Sequence, residues 1–100
     1  MGDELRRYKL SPRAKRDLLE IWLYTRDTWS IVQADSYYQE LINSVEALAT
    51  GVKRGKPIDD IHYGYLSFAS GSHRIIYRHA NRQVLVIRIL HQRMNVRQHL

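Results

Sequence analysis

The sequence predicts an α+β fold: a short N-terminal strand, an antiparallel two-helix hairpin, a three-stranded antiparallel meander and a short C-terminal tail. Three observations predict it. Apolar residues recur at steps of three and four from Ala14 to Ala49, with one break at Trp29-Ser30. From Tyr65 to Leu90 the apolar period is two, the period of strands. The links at Ser70-Gly71 and Ala80-Asn81 are so short that consecutive strands pair antiparallel.

Each element has a local reason. Tyr8 and Leu10 alternate with Arg7 and Lys9, a short strand signal. Ser11-Pro12 supplies an N-cap hydroxyl and a first-turn proline, where the missing N–H costs nothing. Ala14, Leu18, Ile21, Trp22, Thr25 and Trp29 then lie along one face of a helix. Leu19 and Leu23 fall off that stripe, at ~100° per residue, and form a second apolar strip. Ser30-Ile31-Val32-Gln33 fits a capping box in which Ser30 closes the N3 amide and Gln33 reaches back. The second helix carries Ala34, Tyr37, Tyr38, Leu41, Ile42, Val45, Leu48 and Ala49, and Thr50-Gly51 ends it. Residues 51–62 read as a basic loop punctuated by Gly51, Gly55 and Pro57. Tyr65–Ala69, Arg74–His79 and Val84–Leu90 are the predicted strands of the meander. Apolar residues on both alternations of Val84–Leu90 predict a central strand covered on both faces.

One hundred residues, 1–100, make a single domain with one core. No cysteine is present, which removes disulfides, thiolate zinc sites and thiol nucleophiles. No apolar run is long enough to span a membrane, and Met1-Gly2-Asp3-Glu4 carries no leader pattern, so the chain reads as cytoplasmic. No glycine-rich phosphate loop, no His pair at metal spacing and no carboxylate pair after Asp60 occurs, and Asp59-Asp60 stand in a loop beside Lys56 and His62, so no cofactor is expected.

The charge is unevenly placed. Up to Asp60 the ten Lys/Arg and ten Asp/Glu cancel, and no acidic residue follows. The whole formal charge of +6 therefore belongs to the sheet segment, on Arg74, Arg78, Arg82, Arg88, Arg93 and Arg97. A field of one sign favours an acidic macromolecular partner. Arg74, Ile76 and Arg78 share one strand face, and His73, Ile75, Tyr77 and His79 share the other. Arg74 reads as an anion contact on an open sheet face, or equally as an arginine at a rim paired with a carboxylate. His91, Arg93 and Asn95 follow the last strand, as a polar cluster near Arg74 or as a closure of the strand end.

Three stretches carry a resemblance to a known family. They are Leu10-Ser11-Pro12-Arg13-Ala14-Lys15-Arg16-Asp17-Leu18, then Gly71-Ser72-His73-Arg74-Ile75-Ile76-Tyr77-Arg78. The third is Ile89-Leu90-His91-Gln92-Arg93-Met94-Asn95-Val96-Arg97-Gln98-His99-Leu100. In this order and at this length they resemble the ParE toxins of the RelE/ParE superfamily, from about Tyr8 to Leu100.

The resemblance implies a helical hairpin packed on an antiparallel sheet. It also implies the toxin of a bacterial type II toxin–antitoxin pair that causes growth arrest by inhibiting DNA gyrase through binding. The implied partner is a ParD-like antitoxin that wraps the toxin and carries the complex to operator DNA, with no DNA contact by the toxin itself. RelE-like relatives instead cut messenger RNA on the ribosome, and that activity is the alternative. It needs phosphorane stabilisation, which Arg74 and Arg93 can supply, and proton transfer, for which only His91 or His99 is at hand. No tyrosine follows Tyr77. No catalytic residue is therefore assigned. Target binding is placed on Arg74, His91, Arg93, Met94, Asn95 and Arg97. The antitoxin helix is placed on the off-stripe Leu19 and Leu23 with Trp29, and its acidic portion on Arg74 and Arg78.

Overall fold

Ser11 turns the chain from strand into helix by serving two elements at once. Its Oγ accepts the N–H of Ala14 at 3.0 Å, capping the helix, and donates to the carbonyl of Ile87 at 2.8 Å, fixing that helix to the sheet. The computed structural model describes residues 7–100. Met1-Gly2-Asp3-Glu4, the start read as leaderless, lies outside them. The element order is β1 (Tyr8–Leu10), α1 (Pro12–Thr28), α2 (Ile31–Thr50), β2 (Lys56–Pro57), β3 (Leu66–Ser70), β4 (His73–Ala80) and β5 (Gln83–His91). A 3₁₀ turn at Val96–His99 follows.

The helices break where the sequence places the break. Ser30 accepts the N–H of Gln33 at 3.0 Å, and Gly51 closes α2 in the left-handed region at φ +83°. Only half of the expected capping box forms: the Gln33 side chain makes no return bond among the described residues. Trp29, expected on the buried stripe of α1, instead closes that helix. Its N–H reaches the carbonyl of Thr25 at 2.8 Å, and its side chain is 74% exposed. The helix has ended there, so the residue no longer shares the direction of the stripe.

The expected meander β3-β4-β5 forms the centre of a five-stranded sheet of order β1-β5-β4-β3-β2. Strand ends differ from the expected ones by a residue or so. β1 runs parallel to β5, pairing Tyr8 with Val84 and Leu10 with Val86. β2 lies inside the segment read as a loop. Pro57 is tolerated there because β2 is an edge strand. The β4–β5 hairpin turns on Asn81 and Arg82, both at positive φ, which matches the twist of the flanking strands.

β5 contains a bulge. Ile76 pairs with Arg88 and Tyr77 with Val86, so Ile87 is the extra residue. An extra residue reverses the side-chain alternation. Val84 and Val86 therefore join the core before the bulge, and Ile89 joins it after. This explains part of the mixed apolar pattern of β5. The rest comes from burial on both faces: Ile76 and Leu90, on the face away from the core, are as buried as Ile75.

Both helices pack on one face of the sheet. Leu18, Leu41, Val45 and Leu48 meet Leu66, Ile75, Tyr77, Val84, Val86 and Ile89 in one apolar cluster. Tyr77 brings its hydroxyl into that core and resolves the cost by accepting the N–H of Gly55 at 2.7 Å. None of the helices of the described residues is long and apolar enough to cross a membrane.

Candidate functional site

β1 stops at Leu10, so β5 has an open edge beyond Val86. An open edge must find other partners for its N–H groups. Asp17, on the inner side of α1 and only 4% exposed, supplies them. Its Oδ2 accepts the Ile89 N–H at 2.9 Å and the Arg88 Nε–H at 2.9 Å, while its Oδ1 accepts from Arg88 Nη2 at 3.2 Å. Arg88 Nη1 donates in the other direction, to the carbonyl of His99 at 2.7 Å. One guanidinium thus joins helix, sheet and closing segment. A carboxylate this buried is stable only with such a partner set.

Beside this junction lies a cleft of about 600 Å³. One wall is α1, through Arg13, Glu20, Ile21, Tyr24 and Thr25, with Trp29 at its end. Gln33 and Tyr37 of α2 form the second wall, and His73, Ile89 and His91 form the floor with Met94 at one side. Exposed apolar side chains continue from the cleft around the hairpin tip: Tyr24, Trp29, Ile31 and Val32 are all more than half exposed. A patch of this kind beside a groove is the usual mark of a protein partner.

Inside the cleft Tyr37 accepts the Ser72 N–H at 2.9 Å, and its hydroxyl meets His73 Nδ1 at 2.6 Å. His73 and His91 are paired across β4 and β5, and their rings meet edge to face with centroids 5.3 Å apart. Burial lowers the pKa of His73 to about 4, with the neighbouring His91 adding to the effect and Asp17 opposing it. The ring is neutral at pH 7, and its tautomer sets which partner donates in the bond between Nδ1 and the Tyr37 hydroxyl. Burial also raises the pKa of Tyr37. The pair is an anchored hydrogen bond, with neither partner set up as a strong acid or base at neutral pH.

The residues singled out from sequence separate into two regions. Arg74 is exposed and pairs with Leu90, while His91 pairs with His73, so Arg74 and His91 stand on opposite faces of the sheet. The expected cluster of these two at one sheet end does not form, because adjacent residues of a strand point to opposite sides. Arg78 shares the face of Arg74. Neither guanidinium has a partner among the described residues.

Arg93 is exposed, and its N–H bonds His91 Nδ1 at 3.1 Å. Met94 lines the cleft, and Asn95 caps the 3₁₀ turn. Arg97 donates to the carbonyl of Asp60 at 3.2 Å and lies 3.7 Å from its carboxylate. Of the three residues placed under the antitoxin helix, Trp29 lines the cleft and Leu19 and Leu23 do not. Leu19 is 56% exposed on α1, on the strip predicted for it. No group of three or more His or carboxylate side chains able to hold a metal occurs among the described residues.

Asp17, Tyr37 and His73 are site residues that the sequence reading passed over. Asp17 left a signal: it sits three residues after Ala14 and four before Ile21, a carboxylate on the apolar stripe. Tyr37 and His73 left none, since their contact joins residues 36 positions apart.

A two-helix hairpin on one face of a mixed five-stranded sheet, with a cleft between the hairpin and the central strands, places the chain among small two-layer α+β domains. The chain belongs to the ParE family: residues 8–96 match the family described as ParE toxin of type II toxin-antitoxin system, parDE. It is 45% identical over 93 residues to Toxin ParE1 of Caulobacter vibrioides, covering 93% of this chain and 96% of that one. It is 40% identical over 95 residues to Toxin ParE1 of Mycobacterium tuberculosis, covering 94% and 97%. Among solved structures, a chain of the chromosomal ParDE TA system from P. aeruginosa superposes with a TM-score of 0.75 at 16% identity, over 89% of this chain and 98% of that chain, and so has the same fold. The protein is a toxin of a type II toxin–antitoxin system.

Proposed function

We propose that this toxin arrests growth by binding DNA gyrase without chemical turnover, and that a ParD-like antitoxin neutralises it by occupying the cleft and the hairpin tip. The observation that carries the first half is the separation of the unpaired sheet arginines from the acid–base groups. Arg74 and Arg78 lie on one face of the sheet and the histidine pair with Tyr37 on the other, while Arg13 and Arg88, which line the cleft beside the histidines, are paired with Asp17. Cleavage of RNA without a metal needs both at the same phosphate. Separated across a sheet, they suit a gripping surface better than a catalytic one. Target contacts are placed on Arg74 of the exposed basic face, on Arg93, Met94 and Asn95 in the turn after β5, and on Arg97 of the closing segment.

The second half rests on the exposed apolar side chains beside the cleft. An amphipathic helix anchors in such a groove through residues at helical spacing. Ile21, Tyr24 and Trp29 replace Leu19 and Leu23 as its main contacts, and Arg74 and Arg78 are left for acidic side chains of the same partner. Operator DNA is then reached through the antitoxin alone.

The test adds purified toxin either to gyrase-driven supercoiling or to translating ribosomes. Loss of supercoiling with intact message is expected. Cleaved message with normal supercoiling would replace this proposal by a RelE-like ribonuclease.

A further inference from the structure

We infer that Arg88 is a positioning residue that sets the toxic conformation of the closing segment, residues 96–100. This rests on the reading that the segment contacts the target. Two side chains tie the segment to the body of the protein, and they differ greatly in strength. Arg97 and Asp60 are 64% and 77% exposed and 3.7 Å apart, a solvated pair whose net contribution is close to nothing. Arg88 is 13% exposed, its partner Asp17 is 5% exposed, and its bond to the His99 carbonyl is short at 2.7 Å. A shielded, charge-assisted hydrogen bond is the stronger tie by a wide margin.

The guanidinium is also not free to move. Asp17 holds Nε and Nη2 in a two-point contact, and the same carboxylate is fixed by the Ile89 N–H. Only Nη1 is left over, and it points at His99. The planar fork of arginine makes this possible: two donors on the carboxylate leave the third in a fixed direction. The segment is therefore registered against α1 and β5 chiefly through one side chain, with Val96 and His99 partly buried beside it. Its own residues offer little else, for none of the four in the 3₁₀ turn is buried. Arg88 lines the cleft as well, so the segment and the proposed antitoxin surface meet at this residue.

Substituting Arg88→Lys keeps a positive charge beside Asp17 but offers one nitrogen, which cannot serve both partners. Amide hydrogen exchange, thermal unfolding and growth arrest on expression are measured for the full chain. Amides of residues 98–100 are expected to exchange on the order of tenfold faster, amides 84–86 of β5 to stay protected, and growth arrest to weaken. Arg97→Ala serves as the control for exchange: it breaks only the solvated tie to Asp60, so residues 98–100 stay protected.

Arg88→Lys combined with deletion of residues 96–100 is expected to be no less toxic than the deletion alone, because both act through the same segment. Unchanged exchange at residues 98–100 in Arg88→Lys, or full growth arrest despite faster exchange, overturns the assignment of Arg88. Additive losses in the combined variant overturn it too. A deletion that leaves growth arrest intact has a different meaning: it removes the target-binding reading of the segment itself, and with it any functional part for Arg88.

Discussion

Asp17 shows how a single polar residue inside a helix stripe acquires a task from its neighbours. It completes a strand edge, pairs with Arg88 and fixes the direction of the remaining guanidinium donor. Replacing it with alanine strands Arg88, although the His99 carbonyl stays available. Asp17→Ala is therefore expected to cost about 3 kcal/mol, the low end for a broken buried pair, read from urea unfolding.

His73 has the opposite dependence on charge. Its pKa is about 4 in the folded chain against 6.5 for an exposed histidine, so the unfolded chain binds more protons between these values. Stability is then expected to fall as pH drops from about 6.5 towards 4, and to lose this dependence below that. The variant His73→Phe removes the titrating group. Its unfolding free energy between pH 4 and 6.5 is expected to be flatter than that of the unmodified chain, and an unchanged slope would assign the dependence to other groups.

At the level of elements, the β3–β4 turn and α2 are fitted to each other at Gly71. This residue has φ +57°, and an added Cβ would lie 2.6 Å from atoms of the Tyr37 ring. Both facts oppose any side chain there. Gly71→Ala is expected to lose about 1–3 kcal/mol by overpacking and to displace Tyr37 from His73, which the ring proton shifts of His73 would report. The helical hairpin supplies a further test. Trp29→Asp, at the cleft, is expected to weaken antitoxin binding at least tenfold, equivalent to about 1.4 kcal/mol or more. Leu19→Asp, outside the cleft, is expected to change it by less than about threefold. Titration calorimetry with the partner from the same operon distinguishes the two, and the reverse order would return the antitoxin to the off-stripe leucines.

For the whole molecule, the sheet separates two surfaces. The helix-bearing face contains the cleft, and the other carries Arg74 and Arg78 with no carboxylate partner among the described residues. A toxin that grips its target through such a face should lose grip with salt, since exposed charges are screened over about 8–10 Å at physiological ionic strength. Inhibition of supercoiling is expected to weaken as salt rises and to be reduced several-fold by Arg74→Glu, with antitoxin binding in the cleft affected less. Unchanged inhibition with weakened antitoxin binding would confine Arg74 to the antitoxin contact.

The amino-acid sequence by itself determined the helical hairpin, its caps at Ser11, Ser30 and Gly51, the three strands of the meander and the family. These features depend on neighbours within a few positions, or on patterns repeated along the chain, and such patterns are visible in one dimension. Only the tertiary structure decided where β1 and β2 join the sheet, that Ile87 reverses the alternation of β5, and that Arg74 and His91 are divided between two faces. It also decided that Asp17, Arg88 and His99 meet. Contacts between residues 71 positions apart, as in the Asp17–Arg88 pair, leave no periodic trace. They exist because a strand edge left open by β1 needed an acceptor, and that need arises only once the chain has folded.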